Sequence, residues 1–169
     1  MTFRKVKDWL TVIIIFGVLF ILIAFIERGF LGEDEKGRAT VLDGDSLKIG
    51  ESTIRLHGID APEYEQTCAA TGGGTWPCGR RAASRLRALV KGKTVTCKTR
   101  TIDRHFRNVA TCTAGERLLN AVLVEEGLAW AYRLYFSPYE KEENVARARK
   151  RGIWQADTEP AWVYRETRP

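Results

Sequence analysis

The sequence predicts a mixed α+β chain: a five-stranded β-barrel with three helices packed on it, preceded by one transmembrane helix. Three observations lead there. Residues 9–26, WLTVIIIFGVLFILIAFI, contain no charged side chain. Between residues 39 and 113, five short runs mix β-branched or apolar residues with polar ones and are set apart by Gly- or Asp-containing turns, as half-buried strands are. Three further stretches carry apolar residues at helical spacing.

Arg4, Lys5 and Lys7 precede the apolar run, and Glu27 and Arg28 follow it. The run is 18 residues long, at the lower limit for a hydrocarbon core of about 30 Å. The positive-inside rule places residues 1–8 in the cytoplasm and everything after residue 28 on the other side. A cleaved signal peptide would have a shorter apolar core and an A-x-A-like site, so an uncleaved signal anchor is expected. That makes a single-pass inner-membrane protein whose domain faces the periplasm or the exterior. Residues 27–37, ERGFLGEDEKG, are polar and Gly-punctuated and read as a linker. The folded domain is expected over 38–156, with 157–169 as a tail.

Ala39–Ile49, ATVLDGDSLKI, reads as strand, turn, strand, with Asp43-Gly44 at a tight turn. It is not an EF-hand loop: Leu47 and Lys48 stand at its fifth and sixth positions, where an oxygen ligand and Gly are required. The third strand opens the stretch STIRLHGIDAPE, Ser52–Glu63. Here a guanidinium (Arg55) and two carboxylates (Asp60, Glu63) sit on one strand and the stiff turn after it. Phosphate chemistry asks for such a set: a fork to grip oxygens, a carboxylate for a hard cation, another to take a proton from water. A solvated edge strand ending in an Asp-x-Pro turn would look the same in isolation. Strict alternation puts Arg55 and Asp60 on opposite faces, so a common site requires a bend, expected at Gly58.

Arg80–Val90 is predicted helical and is stopped by Gly92. Thr94–Arg100 and Val109–Thr113 are two more strands, joined by TIDRHFRN. That connector either is a charged hairpin tip or presents Arg107 to the same phosphate as Arg55. Leu118–Glu126 is a short amphipathic helix stopped by Gly127. The last helix is expected over Tyr139–Arg151, with Ser137 as its cap and Pro138 at its first position. Its acidic start (Glu140, Glu142, Glu143) and basic end suit the helix dipole without any ligand. Of the aromatic residues from Trp130 to Tyr139, most are expected in the core and one or two against nucleobases. Trp154 and Trp162 are expected to pack the tail. Three strands, helix, two strands, helix, helix is the order of an OB-fold.

The net charge of +6 is compatible with a polyanionic partner and does not prove one. Four cysteines with no C-x-x-C spacing and only two histidines argue against structural zinc. Cys97 and Cys112 lie on the arms of a hairpin, and Cys68 and Cys78 bracket a Gly-rich loop, so the pairing expected is 68 with 78 and 97 with 112. Disulfides agree with a domain outside the cytosol.

Five blocks, ATVLDGDSLKI, IRLHGIDAPE, DRHFRNVATC, LLNAVLVEEGLAWAY and RARKRGIW, in this order and spacing resemble the staphylococcal (micrococcal) nuclease family. The likeness runs from about Ala39 to Trp154, and the Cys68–Cys78 insertion is similar to its disulfide-bearing bacterial branch. The resemblance implies a nuclease-like OB-fold and a calcium-dependent phosphodiesterase acting on DNA and RNA with little sequence preference. It also implies Ca²⁺ bound by Asp45, Asp60 and the backbone carbonyl of Ala61. Glu63 would be the general base, and Arg55 and Arg107 would grip the phosphate. Arg104, His105, Tyr132 and Tyr135 would lie against the nucleotide. The family's Tyr-Gly before the second arginine is here His105-Phe106, a departure that bears on how Arg107 is aimed, since Gly tolerates turns that Phe resists. The alternatives are a barrel that binds nucleic acid or another polyanion without cutting it, and an accessory domain of an envelope assembly. A monomer is expected, and no protein partner is inferable.

Overall fold

The structure is a computed structural model and describes residues 9, 12–23, 34–132 and 138–168. The chain divides into two units, Met1–Gly32 and Glu33–Pro169. In the first, residues 12–23 form helix α1, with apolar side chains exposed all along it. Among the described residues no helix is long and apolar enough to cross a membrane. Residues 10, 11 and 24–26 of the expected 9–26 span lie outside those described, as do residues 1–8 and 27–33.

In the second unit, strands β1 (Glu35–Gly37) and β2 (Ala39–Val41) are separated by Arg38 alone. β1 pairs with β8 (Val95–Ile102), and β2 pairs with β3 (Ser46–Ile49). β3 pairs with β4 (Ser52–Leu56), β4 runs parallel to β9 (Asn108–Ala114), and β9 pairs with β8 and, at its end, with the two-residue β10 (Arg117–Leu118). Both ends of the path therefore meet on one extended segment, residues 35–41, and the sheet closes into a five-stranded barrel of OB type. The expected linker thus ends earlier than its composition suggested. Glu35–Gly37 is polar because it is a half-exposed strand with one edge paired to β8, and Asp34 Oδ1 accepts from the Thr99 amide at 2.9 Å.

The core is built from the inward residues of these strands (Leu47, Ile54, Leu56, Val95, Ala110), all buried. Helix α2 (Cys78–Val90) covers one end through Ala82, Leu86 and Leu89, spaced three and four apart on one face. Helix α3 (Leu119–Glu125) adds Leu119 and Leu123. Each such Leu contributes about 1.5–3 kcal/mol by leaving water. Asn120, also fully buried, is fastened to the sheet: its Oδ1 accepts from the Cys112 amide at 3.0 Å, and its Nδ2 donates to the His57 carbonyl at 2.9 Å.

Both disulfides are present, Cys68–Cys78 and Cys97–Cys112. The latter joins residues directly opposite each other on β8 and β9. The former ties the short hairpin β6 (Cys68–Ala69) and β7 (Thr75–Trp76) to the first residue of α2.

Helix α4 spans Glu140–Ala148, shorter at both ends than expected. Pro138 lies in the turn before it and Tyr139 is its N-cap residue; the expected cap, Ser137, lies outside the described residues. Tyr139 is buried and anchors the helix start in the core. Glu143 serves more than the helix dipole. It is buried, accepts from the Ala131 amide at 2.8 Å, and pairs with Arg147 at 2.7 Å. The stretch expected to be a tail forms a further helix, α5 (Ala161–Thr167). Trp130, on β11 (Trp130–Ala131), meets Trp162 and Trp154 edge-on, with ring centroids 5.8 and 6.3 Å apart.

Candidate active site

Asp45 comes from the loop between β2 and β3. Asp43-Gly44 does not make a two-residue turn there; residues 42–45 bridge the strands, and Leu42 and Asp43 both donate to the Ser46 carbonyl. Gly44 is needed for close approach rather than for a left-handed backbone: a Cβ would come within 2.7 Å of the Ala61 Cβ and 2.9 Å of the Ala82 Cβ. The loop therefore lies flat against Ala61, whose amide donates to Asp45 Oδ2 at 2.9 Å.

Arg55 leaves β4 opposite Ser46. The chain then bends at Gly58, with φ +73°, and resumes as β5 (Ile59–Asp60), paired with β11. The bend expected from alternation is present, and it brings Arg55 and Asp60 together. Arg55 Nη1 donates to Asp45 Oδ1 at 3.0 Å and Nη2 to Asp60 Oδ1 at 2.7 Å. One guanidinium thus joins two buried carboxylates. These charges raise the Arg55 pKa against its own desolvation. Burial pushes Asp45 up to about 7, against the pull of Arg55, with Asp43 and Asp60 adding to the rise.

Glu63 is fixed through its backbone. Its amide donates to Gln66 Oε1 at 3.1 Å and its carbonyl accepts from the Gln66 amide at 2.7 Å. Gln66 is buried and also donates from Nε2 to the Glu159 carbonyl at 2.8 Å. Gly79 of α2 packs on the same peptide so closely that a Cβ would sit 1.7 Å from the Glu63 carbonyl oxygen.

Arg107 follows the turn between β8 and β9. Asp103 organises that turn: its Oδ1 accepts from the amides of His105 (2.8 Å) and Arg107 (3.0 Å), and its Oδ2 pairs with the Arg107 guanidinium at 2.7 Å. Burial works to raise the Asp103 pKa, but the bonds from Arg107 and His105 outweigh it and hold the carboxyl low. Phe106 takes the left-handed φ of +59° that Gly would adopt without cost, and its side chain is 92% exposed. The turn survives the departure from Tyr-Gly. His105 Nε2 accepts from Arg104 Nε at 3.1 Å.

Asp45, Arg55, Ala61, Glu63, Arg104, His105, Arg107 and Tyr132 line one cleft of about 820 Å³. Asp60 does not line it: it is fully buried, bonded to Arg55 and Arg165, which do. Arg107 shares the cleft, yet its guanidinium faces Asp103 rather than the Asp45–Asp60 pair. Tyr135 lies outside the described residues. The sequence reading missed Asp43, which lines the cleft, and Gln66, which holds Glu63. It also missed Arg165 of α5, which donates to Asp60 (3.2 and 2.8 Å) and to Glu63 Oε1 (2.6 Å). No local pattern marks Arg165; it and Arg168 are the two basic residues of a segment, 157–169, without a motif.

Among the described residues no three His, Cys, Asp or Glu side chains form a group that could hold a metal ion. The donor chemistry nevertheless suits a hard cation. Two buried carboxylates converge on one guanidinium, and Asp45 sits where negative charge is disfavoured without more positive charge nearby. Water and substrate oxygens would complete such a shell.

Residues 53–156 match the family described as staphylococcal nuclease homologue. The chain belongs to the staphylococcal nuclease family. It is 36% identical over 141 residues to an uncharacterized endonuclease of Escherichia coli O157:H7, covering 78% of this chain and 86% of that one. It is 34% identical over 146 residues to a micrococcal nuclease of Shigella flexneri, covering 74% and 76%. It is also 33% identical over 132 residues to a succinoglycan biosynthesis protein of Rhizobium meliloti, covering 76% and 69%. Membership places this staphylococcal nuclease homologue among phosphodiester-cleaving enzymes, and its cleft of carboxylates and arginines is of the matching chemical kind.

Proposed function

We propose that the protein is a calcium-dependent endonuclease hydrolysing DNA and RNA with low sequence specificity, held in the inner membrane by residues 9–26. Its domain then faces the periplasm or the exterior. The observation that carries the reading is the bridging of Asp45 and Asp60 by Arg55, with Glu63 in the same cleft. The apolar run and the two disulfides support the placement.

Asp45 and Asp60 would hold Ca²⁺, which supplies charge neutralisation at an anionic phosphodiester. Glu63 takes the proton from the attacking water. Arg55 and Arg107 donate to phosphate oxygens that gain charge in the transition state. Asp103 fixes the turn that carries Arg107, whose guanidinium would have to leave Asp103 Oδ2 to reach a phosphate. Tyr132, partly exposed on the cleft wall, offers a face for a base.

The test is digestion of plasmid DNA and of RNA by the full-length chain, with Ca²⁺ and with a chelator. Cleavage of both should require Ca²⁺, and Glu63→Gln should lower the rate by on the order of 10²-fold or more. Equal cleavage with chelator removes calcium from the reading, and equal cleavage by the variant removes Glu63. DNA retarded in a gel but uncut would leave a binding module.

A further inference from the structure

Asp60 is fully buried, and both its oxygens are engaged by guanidinium groups. Arg55, from β4, donates to Oδ1. Arg165 grips both oxygens as a fork and reaches Glu63 Oε1 with the same Nη1. Arg165 therefore occupies the space between the carboxylate assigned to the cation and the carboxylate assigned to the proton. It approaches from the cleft, whose wall it forms. A divalent cation arriving at Asp60 needs those oxygens and is repelled by the positive charge that now covers them.

The helix beneath need not move for Arg165 to leave. α5 is fixed near its start: Ala161 is buried, Trp162 meets Trp130, and the Glu159 carbonyl is held by Gln66. Arg165 lies a turn further on, its side chain 42% exposed, with a long stem that can swing into the cleft.

We propose that Arg165 is a built-in competitor for the divalent cation and sets how tightly the site takes it. In the metal-free protein its guanidinium neutralises Asp60 and ties up Glu63. Metal binding displaces it and frees Glu63 for proton transfer in the same event. This rests on the metal reading above, and the experiment separates the two.

Calorimetric titration of the full-length chain with Ca²⁺ alone, without nucleic acid, compares wild type with Arg165→Ala, Arg165→Gln and Arg165→Lys. Both neutral variants should bind on the order of tenfold tighter or better, since one charge-assisted fork no longer has to be broken. Arg165→Lys, which keeps charge but not the fork, should fall between. Equal or weaker binding by both neutral variants overturns the inference while leaving the metal reading standing. No Ca²⁺ binding by any of the four proteins overturns both. Melting curves without metal show whether each variant is folded, so tighter binding is scored only on folded protein. A role confined to holding α5 in place would lower stability without tightening the metal.

Discussion

At the scale of single residues, the site is a balance of charge. Arg55 compensates two buried acids, and burial still drives Asp45 up to about 7. A carboxyl that is protonated below that value must lose its proton to ligate a cation. Ca²⁺ affinity should therefore fall by up to about tenfold per pH unit below 7 and level off above it. Calorimetry at pH 6 and pH 8, in buffers of different ionisation enthalpy, should show proton release on binding only at the lower pH. The sign for folding is the reverse. A raised carboxyl contributes stability that is complete below its unfolded value and is lost as pH rises through 7, so Asp45 costs the metal-free domain stability at neutral pH. Replacing Arg55 by Ala should lower the cleavage rate on the order of 10²–10³-fold, as for other preorganised donors. It should also loosen the domain, because two buried carboxylates lose a shared partner. Arg55, Asp60 and Glu63 were legible in the sequence because they lie within nine residues on one strand and turn. Gln66 and Arg165 were not. Gln66 acts through hydrogen bonds of its own loop and of a segment 93 residues away. Arg165 reaches Asp60 across 105 residues with no periodicity to announce it.

At the scale of elements, the glycine that fixes Glu63 is not in the catalytic stretch but at the second residue of α2. Gly79→Ala would drive a methyl into the Glu63 carbonyl. It should destabilise the domain by about 1–3 kcal/mol, as overpacking does, and lower cleavage further than the stability loss explains. Melting curves and rates measured well below the midpoint separate the two effects. Asn120→Ala would leave the Cys112 amide and the His57 carbonyl without their side-chain partner, and a loss of roughly 1–3 kcal/mol is expected. Periodicity predicted α3, one residue longer at each end than observed, and gave Asn120 no role. What gives it weight is the parallel pairing of β4 with β9, a long-range feature. Likewise Asp43-Gly44 carries the signature of a tight turn, yet Gly44 is there because the loop must lie on Ala61 and Ala82. Helix α5 escaped the sequence reading because seven residues hold too few turns for an apolar stripe to stand out.

At the scale of the whole molecule, the order of strands and helices was enough to give the OB barrel. The placement of the cysteines was enough to give both disulfides. The links close loops 10 and 15 residues apart in sequence, each worth on the order of 3 kcal/mol. Reduction should lower the melting temperature of the domain, and free-thiol titration of the denatured, unreduced chain should find none of the four cysteines. The start of the domain was misjudged because a half-exposed strand of Glu, Lys and Gly looks like a spacer until its partner is known. That strand, Glu35–Gly37, spends one edge on β8 while its continuation past Arg38 spends the other on β3. A shortened protein beginning at Arg38 would retain the cleft's carboxylates and arginines. It would also strip the neighbour from Val95–Cys97 and leave a row of bare amides and carbonyls there, open to a strand from another molecule. The expected fate of such a truncation is clumping in the test tube, whereas one begun at Glu33 should stay dispersed.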